Sequence, residues 1–397
     1  MLKTILKPFL FVLGFLIGGL VMAQSAQKIK IFDEIPMNFT GEKKVVPGVE
    51  YLQDGRIILK QIQAPVFPEG TDVKVKVTLK SAGDRWDKSG SLFVIPNPEK
   101  LSFIDIAKNT ASYPEAAGVE GYPGIKIGGN YEPALEVLRF MTPFGVGYYS
   151  DEEKNPNIRY NRPVYVPKWE DEVVWEMDVS QLADELTGDL LIGVWVDTWT
   201  AEGYEISVEF EYSGRALTLK KVQPIVNTVY YAGQKHPDLF AFNPLKATFN
   251  LPENAKNAKL YYITTGHGGH SGGDEFIKLN NTLKFDKKTV VDTIPWRDDC
   301  ASFRRFNPSS GVWTRKDTAR AYNENHEKMF KEVEERLASS DLSRSNWCPG
   351  SLVKPYVLDL GNLEAGKHEL IIDIDATPID GDKLNHWLVS AYLTYEK

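Results

Sequence analysis

The densest group of chemically useful side chains lies at residues 266–276, GHGGHSGGDEF. Besides five glycines, this segment carries the histidines His267 and His270 and the carboxylates Asp274 and Glu275. Glycine lacks a Cβ atom, so such a loop can approach a ligand closely, and its carboxylates can transfer protons. Two histidines three residues apart could also bind a metal ion. A solvated glycine-rich turn is the alternative, and the segment alone does not decide between these interpretations.

A second group, DRWDK at residues 84–88, follows a stretch with the alternation of a β-strand. Asp84 has a local explanation, because an aspartate at a turn often hydrogen-bonds neighbouring backbone amides. That explanation is weaker for Asp87, which follows Trp86 and precedes the next strand. A carboxylate beside an aromatic wall can have a raised pKa, so Asp87 is a candidate proton carrier.

A third group lies in residues 190–200, LLIGVWVDTWT. In a strand, Trp195, Asp197 and Trp199 would share one face, opposite to the apolar residues at 192, 194 and 196. A carboxylate flanked by tryptophans is typical of a platform on which sugars stack. Alternatively, the tryptophans fill the core and Asp197 pairs with an arginine.

β-strands must position these groups, because apolar residues alternate at period two through most of the chain and helical periodicity is rare. Clusters of Gly, Pro, Asn and Asp separate the alternating runs, which favours antiparallel β-sandwiches. Mature length fits two domains better than one. The turn at 213–215 divides an N-terminal domain, 27–214, from a C-terminal domain, 215–397.

One segment, at about 316–338, departs from this pattern. It is rich in Ala, Glu, Lys and Arg, and its larger side chains have the spacing of one helical stripe. We therefore predict a helical insertion with a solvated charged face, lying between the cysteines at 300 and 348. The stripe comprises Tyr322, His326, Met329, Phe330, Val333 and Leu337.

The first 26 residues predict a signal peptide, with Lys3 and Lys7 before an uncharged apolar run and small residues at the candidate cleavage points. We therefore expect an exported protein, periplasmic or secreted and not membrane-bound after cleavage. Removing this segment changes the formal charge from −8 to −10, which disfavours nucleic acid and anionic membranes as partners. In an oxidising compartment, Cys300 and Cys348 should form a disulfide.

Five motifs in the same order resemble bacterial peptide:N-glycosidase F: GDRWD at 83–87, RFMTPF at 139–144, VDTW at 196–199, the glycine-rich loop ending in Glu275, and RSNWCPG at 344–350. This resemblance covers nearly the whole mature chain. It implies an all-β protein of two adjacent eight-stranded antiparallel jelly-roll sandwiches with a cleft between them. It also implies cofactor-free hydrolysis of the amide between N-acetylglucosamine and asparagine of N-glycoproteins.

The resemblance also implies roles for individual residues. Asp87 matches the principal catalytic carboxylate of the family, Glu275 matches its second essential acid, and Asp197 falls where the family has a glutamate. The expected substrate-binding residues are Trp86, Lys88, Trp199, Arg344 and His267. The cysteines at 300 and 348 match a family disulfide near the cleft.

Two of these positions depart from the family pattern. Lys88 falls where the family has an arginine, and His267 falls near a family tryptophan. The expected function is that of a monomeric secreted amidase acting on N-glycoproteins or glycopeptides. One alternative is a secreted sandwich protein that binds glycoproteins without catalysis. Another is a copper-dependent monooxygenase with His267 and His270 as ligands.

Overall fold

The computed structural model describes residues 26–42, 45–67, 70–111, 124–214, 220–230, 239–268, 273–375 and 387–397. The predicted signal peptide, apart from Ala26, and His270 of the glycine-rich loop lie outside these ranges. Within them the chain is mainly antiparallel β-sheet, as the alternation predicts. None of the helices in these ranges combines the length and the apolar character needed to cross a membrane.

The N-terminal half forms two facing sheets, one of four strands in the order β1-β9-β4-β7 and one of six in the order β17-β6-β5-β8-β3-β2, in which β17 (Leu352–Val353) comes from the second half of the chain. The strands β2 and β17 are only three and two residues long. The bounds are β1 (Gln27–Met37), β2 (Glu50–Leu52), β3 (Ile57–Ala64), β4 (Thr71–Ser81), β5 (Ser89–Ile95), β6 (Leu135–Met141), β7 (Val173–Asp178), β8 (Gly188–Val196) and β9 (Tyr204–Gly214). The described part of this half also contains a short α-helix, α1 (Phe103–Ala107), and three 3-10 helices, at Gln53–Gly55, Pro156–Asn161 and Ser180–Glu185.

The C-terminal half forms two four-stranded sheets, in the orders β10-β20-β12-β18 and β11-β19-β13-β14. The bounds are β10 (Lys221–Asn227), β11 (Leu245–Leu251), β12 (Ala255–Gly266), β13 (Asn281–Phe285), β14 (Lys288–Thr293), β15 (Val312–Tyr322), β16 (Lys328–Ala338), β17 (Leu352–Val353), β18 (Tyr356–Leu363), β19 (Gly366–Ile374) and β20 (Trp387–Glu396). The strand β17 pairs with β6, so the second half of the chain completes a sheet of the first.

The six-stranded sheet is covered on both faces. In β5, Leu92 and Val94 join the core of the first sandwich, whereas Phe93 and Ile95 join the core that includes the second sandwich. A sheet buried on both faces needs apolar residues at successive positions, which explains why β5 does not alternate. The predicted division of faces is observed up to Val196, where β8 ends, because Trp195 enters the core shared with the second sandwich and the apolar residues at 192, 194 and 196 enter the other core. Asp197 and Trp199 lie beyond the strand.

An ion pair inside the six-stranded sheet connects the two sandwiches. Glu136 and Arg139 pair at 2.7 Å with both side chains fully buried. Arg139 also donates through Nη1 to the backbone oxygen of Leu388, at 2.6 Å, and to Oγ1 of Thr265, at 3.2 Å. Removing one partner of such a pair leaves an uncompensated buried charge, so this network fixes β6 against β12 and β20.

The predicted helical insertion at 316–338 is wrong. The segment is a β-hairpin, in which β15 and β16 pair from Val312 opposite Ala338 to Tyr322 opposite Lys328. Most side chains of the hairpin are exposed, including those of Tyr322 and Phe330.

Turn chemistry explains why a hairpin forms in place of the helix. Oδ1 of Asn323 accepts hydrogen bonds from the backbone N–H groups of Asn325 and Glu327, and His326 adopts a φ of 62°. This turn allows cross-strand pairing, such as that of Lys316 with a glutamate of β16. The helix propensities of Ala, Glu, Lys and Arg favour a helix by only tenths of a kcal/mol per residue. Cross-strand pairs contribute free energies of the same order, so they can outweigh this preference.

The two cysteines form the predicted disulfide, Cys300–Cys348, across 48 positions. Its loop contains the hairpin, whose ends meet where the N–H of Ser339 donates to the oxygen of Gly311 at 2.8 Å. The bond therefore ties the segment that precedes the hairpin to the segment that follows it.

Candidate active site

Three loops bring Asp87, Glu275 and Arg344 together. Asp87 lies between β4 and β5, Glu275 follows β12, and Arg344 lies between the hairpin and β17. The Nε of Arg344 donates to Oε1 of Glu275 at 2.7 Å, and its Nη2 donates to Oδ2 of Asp87 at 3.4 Å. One guanidinium group therefore contacts both carboxylates that the resemblance singles out.

Arg344 is held rigidly. Its side chain is only 2% exposed, and its Cζ atom lies 5.1 Å from the ring centroid of Phe276 and 4.9 Å from that of Trp347. Its Nη1 donates to the backbone oxygen of Leu342 at 3.0 Å. A buried guanidinium that contacts two rings and a backbone oxygen presents its donors in one orientation, which suits the alignment of two carboxylates.

Asp84 builds the loop that carries Asp87. Its carboxylate accepts hydrogen bonds from the N–H of Trp86 at 2.9 Å and from the hydroxyl of Thr198 at 2.8 Å. Tyr204 donates its hydroxyl to the backbone oxygen of Trp86 at 2.6 Å. Asp84 is fully buried and has the local role expected of a turn aspartate.

Asp197 lies beside this loop. Its N–H donates to the backbone oxygen of Ser89 at 2.9 Å, two residues after Asp87. Its Oδ1 accepts from the indole N–H of Trp199 at 3.1 Å. Trp199 is 49% exposed and Trp86 is 52% exposed, so both indoles are accessible to a ligand such as a sugar ring.

Arg56 is a site residue that the sequence analysis missed. Its Nη1 lies 3.7 Å from Oδ1 of Asp197, and its Cζ lies 4.2 Å from the ring centroid of Trp199 and 5.1 Å from that of Phe39. Asp197 therefore has the arginine partner that the alternative interpretation of this segment predicts. Arg56 follows a turn and directly precedes β3, and nothing in its local sequence distinguishes it from a surface arginine.

The three carboxyl groups have raised pKa values. Burial raises the pKa of Glu275 to about 7, with a further contribution from the negative charge of Asp87 and opposition from Arg344. Burial also raises the pKa of Asp87, although Arg344 and Lys88 act in the opposite direction. The pKa of Asp197 rises to about 6 for the same reason, against the nearby charges of Lys88 and Arg56. Raised pKa values in a cleft are typical of groups that transfer protons near neutral pH.

His267 lies next to this site at the end of β12. Its ring stacks on Trp347, with centroids 5.3 Å apart and an interplanar angle of 26°. Its Nε2 is 2.7 Å from Oγ1 of Thr265 and 3.4 Å from Oγ of Ser89. His267 thus connects the buried Arg139 network with the strand that follows Asp87. Among the described residues, no three His, Cys, Asp or Glu side chains are arranged to hold a metal ion.

Family profiles match nearly all of the chain after residue 27. The profile "Peptide-N-glycosidase F, N terminal" matches residues 28–212, and "Peptide-N-glycosidase F, C terminal" matches residues 235–394. The chain belongs to the peptide-N-glycosidase F family. No curated protein matches it by sequence.

Solved structures agree with this family membership. PNGF-II in a C2 crystal form is similar with a TM-score of 0.79 and 30% identity, covering 94% of this chain and 65% of that one. PNGF-II in a P21 crystal form gives a TM-score of 0.79 and 31% identity, covering 94% of this chain and 66% of that one. This chain thus spans about two thirds of the length of PNGF-II. PNGase F, a glycosylasparaginase from Flavobacterium meningosepticum, shares the fold with a TM-score of 0.57 and 16% identity, covering 94% of this chain and 96% of that one.

Proposed function

We propose that this protein hydrolyses the amide between N-acetylglucosamine and asparagine in N-glycoproteins and glycopeptides. The observation that carries this proposal is the contact of Asp87 and Glu275 with the single guanidinium of Arg344, in a member of the peptide-N-glycosidase F family. Two carboxylates with raised pKa values suit amide hydrolysis, which needs a proton removed from water and a proton delivered to nitrogen.

Asp87 is the proton carrier of the proposed reaction. Its carboxylate takes a proton from water while the water oxygen bonds to the carbonyl carbon of the asparagine side chain. The carbon–nitrogen bond then breaks, and the proton on Asp87 moves to the departing nitrogen. The products are an aspartic acid side chain and the glycan as a glycosylamine, and the new carboxyl group then releases a proton to solvent to become aspartate, so the atoms and charges balance.

Glu275 and Arg344 orient the reacting groups in this proposal. Because the pKa of Glu275 is about 7, its carboxyl group is protonated in part of the molecules at neutral pH and can then donate a hydrogen bond. Arg344 donates a hydrogen bond from Nε to Oε1 of Glu275 at 2.7 Å and another from Nη2 to Oδ2 of Asp87 at 3.4 Å. Asp197 supports the site through its contacts with Trp199 and Arg56.

The remaining substrate contacts follow from the exposed side chains of Trp86 and Trp199 and from the half-buried side chains of Lys88 and His267. Trp86 and Trp199 would stack on the first sugars of the glycan, since an indole face covers the apolar face of a sugar ring. Lys88, which lies near Asp87 and Asp197, and His267, which lies beside Ser89, would contact polar atoms of the core sugars or the peptide.

The organisation of the whole protein is part of the same proposal. We place the division between the two domains at 214/215 and expect the exported, mature protein to begin near residue 27 and to act as a monomer. The mass of the protein recovered from outside the cytoplasm tests the cleavage point. Size-exclusion chromatography with light scattering tests the monomer.

A glycan-release assay tests the proposed activity. A denatured N-glycoprotein is incubated with the purified protein, with Asp87→Asn and with Glu275→Gln. We expect free glycan with the wild-type protein and loss of about 10²- to 10⁴-fold in rate with each variant, the range of general acid–base catalysis. A peptide that keeps one N-acetylglucosamine would instead identify cleavage between the sugars, and no release by the wild-type protein would contradict the proposal.

A further inference from the structure

A polar pocket lies directly beside the loop that carries Trp86 and Asp87. Its volume is about 560 Å³, within the range of small-molecule sites. Arg85 forms part of its wall, and the side chain of Arg85 lies over the ring of Trp86, with the Cζ atom 5.6 Å from the centroid. The pocket therefore continues the surface on which the first sugars would stack. Its lining also includes Tyr149, Asn155, Asn157, Asn161 and Ser310.

The walls of this pocket are fixed to the catalytic loop. The hydroxyl of Ser309 donates to the backbone oxygen of Arg85 at 3.2 Å, and the hydroxyl of Tyr149 donates to the oxygen of Gly83 at 3.3 Å. Asn155 donates its amide to the oxygen of Tyr148 at 3.1 Å. These bonds join residues from three separate segments, so the pocket is preformed on a rigid frame.

Its chemistry matches the hydroxyl groups of neutral sugars. The side-chain amides of Asn157 and Asn161 make no hydrogen bond with any described residue, and each offers both donors and an acceptor. A sugar hydroxyl likewise donates and accepts. Among the described residues that line the pocket there is no carboxylate, and its cations are Arg85 and Lys154, of which Lys154 pairs with Asp151 at 3.1 Å. The few apolar residues, such as Ile158, provide no deep anchor for a peptide side chain.

We propose that this pocket is a second subsite, which binds neutral hexoses of the glycan beyond its two core N-acetylglucosamines. This inference rests on the proposed function, because it places the core sugars on Trp86. Asn157 and Asn161 hydrogen-bond the outer hydroxyl groups, and Arg85 donates to the sugar that bridges Trp86 and the pocket. The subsite makes the enzyme select for glycan length.

The double variant Asn157→Ala/Asn161→Ala tests the subsite with two substrates. One is a glycopeptide with a complete high-mannose glycan, and the other is the same peptide trimmed to two N-acetylglucosamines. We expect kcat/KM to fall about tenfold on the first, mainly through KM, and to stay unchanged on the second, since two hydrogen bonds are lost. Equal effects on both substrates, or none on either, would overturn the inference.

A binding measurement separates this inference from the amidase proposal. Free high-mannose oligosaccharide is titrated calorimetrically into the wild-type protein and the double variant, with Asn250→Ala on β11 as an exposed, remote control. Weaker binding by the double variant alone supports the subsite even if the wild-type protein hydrolyses no glycopeptide. Identical affinities for all three proteins would overturn it, whatever the amidase assay shows.

Discussion

Arg344 donates a hydrogen bond of 2.7 Å from its Nε to Oε1 of Glu275, and the two residues are 69 positions apart. The second arm of the same guanidinium reaches Asp87, from the other sandwich. Assembly of the site therefore requires both halves of the chain. The buried pair of Glu136 and Arg139 supports this assembly, because it fixes the two sandwiches against each other beneath the site.

Replacing Arg344 by lysine should impair catalysis while leaving the fold intact. Lysine keeps the charge but not the forked geometry, so it can no longer orient Glu275 and Asp87 together. We expect kcat to fall on the order of 10²-fold, as for the loss of a positioned donor. The measurement is steady-state hydrolysis of a fluorescent glycopeptide. Arg305→Lys, at an exposed arginine, is the matched control, and an unchanged kcat for Arg344→Lys would contradict the bridging role.

Asp87→Asn should lower the pKa of Glu275. The negative charge of Asp87 is the second cause of the raised pKa, after burial. Without it, the Glu275 carboxyl group loses protons at a lower pH than about 7, although burial keeps the pKa above that of a free glutamate. Carbon-13 NMR titration of labelled glutamate carboxyl groups measures this shift. The control is Asp151→Asn at a partly exposed site. If Glu275 titrates with the same midpoint pH in all three proteins, the two carboxyl groups do not interact.

Arg56→Lys should weaken substrate binding without removing catalysis. The guanidinium of Arg56 stacks on Trp199 and Phe39, and a lysine would lose the planar contact that fixes the indole. Such contacts contribute about 0.5–2 kcal/mol, so we expect KM to rise about 2- to 30-fold with little change in kcat. Quenching of tryptophan fluorescence by acrylamide reports the freed indole of Trp199. A variant with reduced kcat, unchanged KM and unchanged quenching would refute this positioning role.

Asp197→Asn should stabilise the protein more at pH 8 than at pH 5. Burial raises the pKa of Asp197 in the folded state to about 6, above its value in the unfolded chain, so ionisation in the folded state is costly. The free energy of unfolding therefore falls as the pH rises from the unfolded pKa to about 6. Asparagine removes that cost. Because the side chain is 33% exposed, we expect a gain of only about 1–2 kcal/mol at pH 8 and less at pH 5.

Urea denaturation at the two pH values measures the difference for Asp197→Asn. Asp151→Asn is the control, because the N–H of Lys154 lowers the pKa of Asp151 and keeps it charged at both pH values. Its effect on the free energy of unfolding should therefore be the same at pH 5 and pH 8. A gain for Asp197→Asn that is no larger at pH 8 than at pH 5 would contradict the raised pKa.

The sequence predicts those parts of the fold and site that depend on local pattern. Alternation at 73–79 and 206–212 predicts strands, because each has one buried face, and the two cysteines predict the disulfide. Asp87 and Glu275 stand out because their residue types and neighbours suit proton transfer. The helix expected at 316–338 fails because Asn323 forms a turn that favours cross-strand pairing, which local helix propensity does not reflect.

Long-range contacts are the part that the sequence does not reveal. Arg56 contacts Trp199 from a turn 143 positions earlier, and Arg139 reaches Leu388 across 249 positions. Arg56 has no local neighbours that mark its role, and the RFMTPF motif that begins at Arg139 does not indicate the partners of that arginine, since these contacts exist only after the sheets have packed.

The most direct test of the central claim is hydrolysis in water enriched in oxygen-18, followed by mass spectrometry of the peptide. Amide cleavage places one solvent oxygen on the former asparagine side chain, so the peptide should be about 3 mass units heavier than its unglycosylated asparagine form. Glycan should be released in equal amount, and Asp87→Asn should give neither product at a comparable rate. A peptide that retains N-acetylglucosamine, or that stays unmodified with wild-type protein, would contradict the account.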